Sequence, residues 1–233
     1  MPRTARITPG GYAYHVLNRG VGRMDLFDDE DDYLAFVNVL GQGLERHPEA
    51  RLLGYCLMPN HWHLVFWPRR GADRVLSDLM RWVGTTHVRR RHAHRHSAGT
   101  GSVYQGRFKC FPIQADDHFL TVCRYVERNA LRAKLVKQAQ DWRWGSPWLR
   151  KQRSGLTPEE RVLKSQLSVW PVDRPRNWSA IVNKPQTQAE LDAIRLSVER
   201  GKPFGGKPWL TRTVNRLGLE TTLRGRGRPR LDE

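Results

Sequence analysis

Two apolar runs of strand length, Arg51 to Met58 and His61 to Trp67, are separated only by Pro59-Asn60, and this hairpin signal constrains the fold more than any other stretch of the chain. So short a connection forces the two runs to lie antiparallel and adjacent. Helical patterns flank them. Tyr33, Leu34, Phe36, Val37, Leu40 and Leu44 recur at helical spacing within Asp31 to Arg46, behind the acidic stretch Asp28 to Asp32, whose charge suits a helix N-terminus. Asp73 to about His94 carries Val75, Leu76, Leu79, Trp82, Val83 and Val88 as an apolar stripe, with arginines over the remainder. Tyr12 to Leu17, following the turn residues Pro9-Gly10-Gly11, reads as a first strand and Arg107 to Gln114 as a fourth. Asp116 then opens a third helix holding Phe119, Leu120, Val122, Cys123, Val126 and Leu131.

The order β-α-β-β-α-β-α predicts an α+β fold, a ferredoxin-like antiparallel sheet with helices packed on one face and an extra C-terminal helix. Residues 1–149 are expected to form this domain. The proline- and charge-rich stretch that follows predicts a linker over 150–187, and residues 188–233 a basic C-terminal extension with a helical pair at Gln188 to Arg200 and Lys207 to Leu217.

Forty lysines and arginines against 23 acidic residues leave a net charge of +17, which calls for a polyanionic partner. No run approaches the ~18 apolar residues of a spanning helix, and the N-terminus shows no apolar signal core, so the expectation is nucleic acid in the cytoplasm, at the nucleoid, with no membrane. The three cysteines, Cys56, Cys110 and Cys123, have no C-x-x-C spacing and predict neither a disulfide framework nor a thiolate zinc site.

Within the hairpin, His61-Trp62-His63 is the sharpest chemical signal, because strand alternation puts both imidazoles on one face with Trp62 on the other. An isolated H-x-H is as often a pair of ordinary histidines as a metal site. On the third helix Tyr125 and Asn129, four residues apart, are expected to share a face with Arg128 and Arg132 beside them. Taken singly, such a tyrosine is usually a half-buried structural residue.

Together these residues resemble the single-tyrosine HUH endonucleases, in which two histidines flank a hydrophobic residue on a central strand and the nucleophile sits on a later helix. The resemblance is closest to the REP-associated tyrosine transposases. It runs through Tyr12-Ala13-Tyr14-His15-Val16 with Asn18-Arg19-Gly20, Phe27-Asp28-Asp29-Glu30-Asp31, Met58-Pro59-Asn60-His61-Trp62-His63-Leu64-Val65, Gln105-Gly106-Arg107-Phe108-Lys109, the stretch from Tyr125 to Ala133, and Trp142-Arg143-Trp144. Two positions depart from that family's pattern: Ala130 stands where proline usually follows the helix asparagine, and Gly20-Val21 where a glycine-asparagine pair is usual.

The resemblance implies a metal-dependent endonuclease and strand transferase acting on single-stranded DNA hairpins of palindromic repeats. His61 and His63 are implied as ligands of Mg²⁺ or Mn²⁺, with Asn129 as a third, oxygen, ligand. Tyr125 is the implied nucleophile, giving a 5′-phosphotyrosine and a free 3′-hydroxyl. Bond energy kept in that phosphotyrosine makes ATP unnecessary, so no nucleotide cofactor is expected. A monomer is expected over a dimer.

For DNA contacts the sequence nominates the basic run Arg89, Arg90, Arg91 and Arg95, then Arg107, Lys109, Arg128 and Arg132. Arg226-Gly227-Arg228-Pro229 looks like the core of an AT-hook, so Arg226 and Arg228 join that set, whether the extension is a folded module or a disordered basic tail. Two rival readings stand beside the enzyme: a DNA-binding regulator on the same fold that no longer cuts, opposed by the intact His61, His63, Tyr125 and Asn129, and a single-stranded RNA-binding protein, opposed by the lack of aromatic RNA-recognition motifs.

Overall fold

The computed structural model describes residues 8–224. Its core runs β1 (Ala13–Arg19), α1 (Glu30–Arg46), β2 (Leu52–Met58), β3 (His61–Phe66), α2 (Val75–His94), β4 (Lys109–Ile113) and α3 (Asp117–Glu127). The strands form one antiparallel sheet in the order β2-β3-β1-β4, the arrangement that the sequence pattern predicts.

Alternation along the strands divides the interior in two. Tyr14, Val16, Trp62, Leu64 and Phe66 point to one face, where Phe36, Leu40 and Leu44 of α1 and Leu76, Leu79 and Val83 of α2 cover them. Ala13, Val65, Phe111 and Ile113 point to the other, covered by Phe119, Val122, Cys123 and Val126 of α3. The helix pair α1 and α2 thus shares one face as expected, and the extra helix takes the opposite one. Both acidic helix starts are caps: the Asp29 carboxylate accepts from the Asp32 amide, and that of Asp116 from the His118 amide.

The hairpin turn has a second use. The Pro59 carbonyl accepts from the amides of Leu26 and Phe27, and the Asn60 carbonyl from that of Gly20. These bonds tie the segment after β1 against the start of β3, next to His61.

Two expectations change. The third helix stops at Glu127, and residues Asn129–Arg132 form a separate turn, α4, after Arg128. No glycine or proline announces this break in the sequence. Residues 150–187 are not a linker. The helix α5 (Ser146–Lys151) already crosses the expected boundary, and α6 (Pro158–Ser165) and α7 (Trp178–Asn183) follow it. Leu163 of α6 joins the α1 core, and Trp178 and Val182 of α7 join the core under α3. The approach of α6 to α1 is close at Gly41, where a methyl would lie 3.1 Å from Val162 Cγ1 and that side chain would have to give by a few tenths of an ångström. Proline and charge in this stretch open α6, where Pro158 stands in the first turn behind a capping box of Thr157 and Glu160. The final pair, α8 (Gln188–Arg200) and α9 (Lys207–Leu217), occupies the expected positions.

Candidate active site

The two imidazoles of His61 and His63 stand at the start of β3 on the α3 face, their ring centroids 4.9 Å apart and their planes nearly perpendicular at 88°. Each has one nitrogen fixed by a neighbour. His61 Nδ1 bonds Asn60 Oδ1 at 2.6 Å, and His63 Nδ1 bonds His15 Nε2 at 2.8 Å. On both rings Nε2 is the nitrogen not taken up by these bonds. Burial and nearby cations, above all Arg132, lower the pKa of His61 to about 4, and burial with the adjacent His15 and His61 holds His63 well below its ordinary value. Both rings are therefore neutral at pH 7, the state that a metal requires.

Tyr125 comes from α3 to the same place. Its ring stands edge-on to His63, with centroids 5.8 Å apart, and edge-on to His15 at 6.1 Å. The Arg132 guanidinium lies over the Tyr125 ring, 4.2 Å from its centroid. A cleft of about 340 Å³ opens in front, with Tyr125, His61 and His63 in its walls beside Asn60, Arg19 and Arg23.

Asn129 is placed differently from the expectation. Because α3 breaks at Arg128, the asparagine starts α4, is buried, and has its Oδ1 held by Arg132 at 2.9 Å. It is not among the residues lining the cleft. Its amide nitrogen and Arg132 Nη1 are buried without hydrogen-bond partners. Among the described residues no group of three or more histidine, cysteine or carboxylate side chains is arranged to hold a metal. The donor set that is present, two neutral imidazoles each steadied through Nδ1, fits a divalent ion that keeps most of its coordination positions for other ligands.

Sequence reasoning gave His15 no role. It lies fully buried on β1, bonds His63, and has a second ring nitrogen, Nδ1, with no partner. A histidine on the strand beside the His-x-His strand, in phase with it, was the available signal. Val198 of α8 was also missed: it forms part of the wall of the cleft, so the C-terminal extension reaches the site.

The nominated basic residues divide into two groups. Arg95 is spent on Asp28 and Asp32, Arg91 on the Asp25 carbonyl, Arg90 on Gln42, and Arg128 on the carbonyls of Val182 and Asn183. Arg128 therefore clamps α7 rather than attending Tyr125. Arg89, Arg107 and Lys109 are exposed, and Arg107 and Lys109 line a basic pocket next to the cleft that holds Tyr125. Arg226 and Arg228 lie outside the described residues.

Residues 10–129 match the family model of the IS200-like transposases. Among solved structures, a REP-associated tyrosine transposase bound to a REP hairpin shares the fold with a TM-score of 0.53. It is 18% identical, and the alignment covers 75% of this chain and 95% of that one. No curated protein matches the chain.

Proposed function

Since the chain belongs to the family of IS200-like transposases, whose model spans more than half of it, we propose that it cuts and rejoins single-stranded DNA hairpins with Tyr125 as the nucleophile. The observation that carries this reading is the meeting of a helix tyrosine, a paired set of neutral imidazoles and an arginine at one cleft. In the step itself, the Tyr125 phenolic oxygen forms a bond to phosphorus, the bond from phosphorus to the 3′ oxygen breaks, and that oxygen leaves with a proton as a free 3′-hydroxyl. A 3′-hydroxyl from another strand reverses the step and releases the tyrosine.

His61 and His63 would hold Mn²⁺ or Mg²⁺ through Nε2. A divalent ion supplies charge withdrawal from a non-bridging phosphate oxygen. The protein's own residues do the rest. Arg132 stacks its charge on the Tyr125 ring and favours the developing phenolate. The unpartnered Arg132 Nη1 and Asn129 Nδ2 are donors that the protein alone does not satisfy, so the asparagine is assigned to the phosphate's surroundings or to an ion only after rearrangement of its bond to Arg132. Arg19 and Arg23 place further positive charge at the cleft. The solved relative's hairpin ligand is consistent with a hairpin substrate here. A regulator that binds without cutting has no use for a tyrosine packed against the histidine pair.

The test uses hairpin-forming oligonucleotides selected by binding from a randomised single-stranded pool. With Mn²⁺ the chain is expected to form a covalent DNA adduct that maps to Tyr125 by mass spectrometry. Tyr125→Phe should bind the same DNA with unchanged affinity and form no adduct. An adduct at another residue, or undiminished cleavage by the variant, overturns the assignment.

A further inference from the structure

The helix α9 runs against the usual charge arrangement of a helix. It contains no acidic residue, and its first turn opens on Lys207 and Pro208, whereas α1, α3, α6 and α8 each place a carboxylate there. A cation at that end opposes the helix dipole, so Lys207 weakens the helix that carries it. We propose that the outer face of α9 is a docking surface for double-stranded DNA, the paired stem of a hairpin, and that only stems above a minimum length reach it. The claim rests on the hairpin processing proposed above.

The face is continuous and basic. Lys207, Thr211, Arg212, Asn215 and Arg216 are exposed and recur at helical spacing, so they form one stripe, while Thr213, Val214 and Leu217 on the other side are buried. Among the described residues neither Lys207 nor Arg212 has an acidic partner. In a chain of net charge +17 such a stripe selects a polyanion, and the threonine and asparagine add neutral groups that hydrogen-bond phosphates or base edges. From Lys207 to Arg216 the helix advances about 14 Å at 1.5 Å per residue. The major groove of B-DNA, ~12 Å wide, admits such a helix, whereas the deep and narrow major groove of duplex RNA does not.

The surface is fixed before any ligand arrives. Phe204 pairs with the edge strand β4, its amide donating to the Pro112 carbonyl and its carbonyl accepting from the Gln114 amide, both at 2.9 Å. The Gly206 amide then donates to Gln114 Oε1 at 2.9 Å. Trp209 packs on Tyr12 with ring centroids 6.3 Å apart, and the Arg216 guanidinium lies 5.9 Å from the same tyrosine ring. A methyl at Gly205 would overlap both Trp209 and Gln114, so the turn into α9 needs glycine. A helix held in this way loses little freedom on binding DNA.

Its place in the fold sets the length. Tyr12 stands just before β1, and Arg19 at the far end of that strand pairs with His61 beside the cleft that holds Tyr125. The strand from Tyr12 to Arg19 spans about 23 Å at ~3.3 Å per residue. That is the rise of about seven base pairs at 3.4 Å each. A hairpin with its foot at Tyr125 therefore meets α9 only when its stem is at least about that long.

The experiment varies the stem and the helix together. Hairpin oligonucleotides selected as above are remade with the same foot and loop but with stems of about four and about twelve base pairs, below and above that length. Binding is measured by fluorescence anisotropy at several salt concentrations. The unmodified protein should bind the long stem more tightly. Lys207→Glu combined with Arg212→Gln should lose about thirtyfold on the long stem at ~0.15 M salt, the counterion-release value for two phosphates, with a salt slope shallower by about 1.8. On the short stem the same variant should match the parent. Lys207→Glu alone suits the helix dipole better, so its melting temperature should equal or exceed that of the parent while its long-stem affinity falls, which separates a lost contact from a lost fold. Affinity that ignores stem length, equal losses on both stems, or the same preference for a long stem made of RNA overturns the surface. Adduct formation at Tyr125 on the short stem should be identical in parent and variant. A stem-length effect without any adduct in either protein supports the surface and counts against the cutting proposed for Tyr125.

Discussion

At the scale of single residues, the site turns on which nitrogen of each imidazole carries the proton. For His63 to present a lone pair at Nε2, its proton sits on Nδ1 and is donated to His15 Nε2. His15 must then carry its own proton on Nδ1, which has no partner in the protein. In the metal-bound state proposed above, the bond to His15 holds the His63 proton on Nδ1, and removing it should loosen the ion without touching a ligand. His15→Ala is expected to weaken Mn²⁺ binding by about 10- to 100-fold, the usual effect of losing the partner of a ligating histidine. His15→Gln, whose amide oxygen can accept the same bond, should retain most of the affinity. Titration of the DNA-free protein with Mn²⁺ by electron paramagnetic resonance measures both, and an alanine variant as tight as the parent would contradict the role. The sequence displayed His61, His63 and Tyr125 because alternation and order place them, but not His15, whose partner is 48 positions away.

At the scale of elements, α3 is held from two sides, and its last residue shows how. Glu127 is buried, and its carboxylate accepts from Ser146 of α5 at 2.8 Å and from the Trp178 indole of α7 at 2.6 Å. Arg124 and Arg128 add bonds to the carbonyls of Lys184, Pro185, Val182 and Asn183. Helix α3, which carries Tyr125, is therefore positioned by residues far beyond the sheet. Trp178→Phe keeps an aromatic ring, though a smaller one, and leaves one oxygen of a buried carboxylate without its donor, at a cost of at least ~1–3 kcal/mol. Urea unfolding should show a loss of that size at constant m-value, and a change below ~0.5 kcal/mol would mean that the bond does not hold the helix. Period-2 and helical patterns made the sheet, α1 and α2 readable from sequence. The stretch 150–187 was not, because six- and eight-residue helices are too short to display a period and their apolar contacts are made with elements more than 50 residues earlier. The break at Arg128 was equally hidden, for want of any local signal.

At the scale of the whole molecule, the fold keeps several histidines neutral at a cost that appears only in acid. His87 is buried between α2 and the segment before α1, against Phe27, Phe36 and the Tyr104 hydroxyl, and burial with the nearby Arg91 lowers its pKa to about 4. His15 is lowered to about 3 by burial and then by Arg132, and His61 to about 4 by burial and then by Arg132 and Arg19. In the unfolded chain these rings protonate near 6.5. Between about 6.5 and about 4 the unfolded state therefore binds more protons than the folded one, so stability is fully present above 6.5 and declines as the pH falls through that window. Each unit of separation is worth ~1.4 kcal/mol, so three such groups together reach the same order as the ~5–15 kcal/mol that stabilises a typical domain. The urea midpoint should fall steadily from pH 6.5 and approach zero near pH 4. His87→Gln, in which an amide oxygen replaces the acceptor for the Tyr104 hydroxyl and nothing titrates, should flatten that slope by roughly a quarter, since His63 is lowered as well and one of four such groups is gone. Because His87 is remote from the cleft, the flatter slope should come without change in Mn²⁺ affinity. A midpoint independent of pH from 6.5 to 4.5, or the same slope in both proteins, would show that the buried rings do not set the acid limit of this fold.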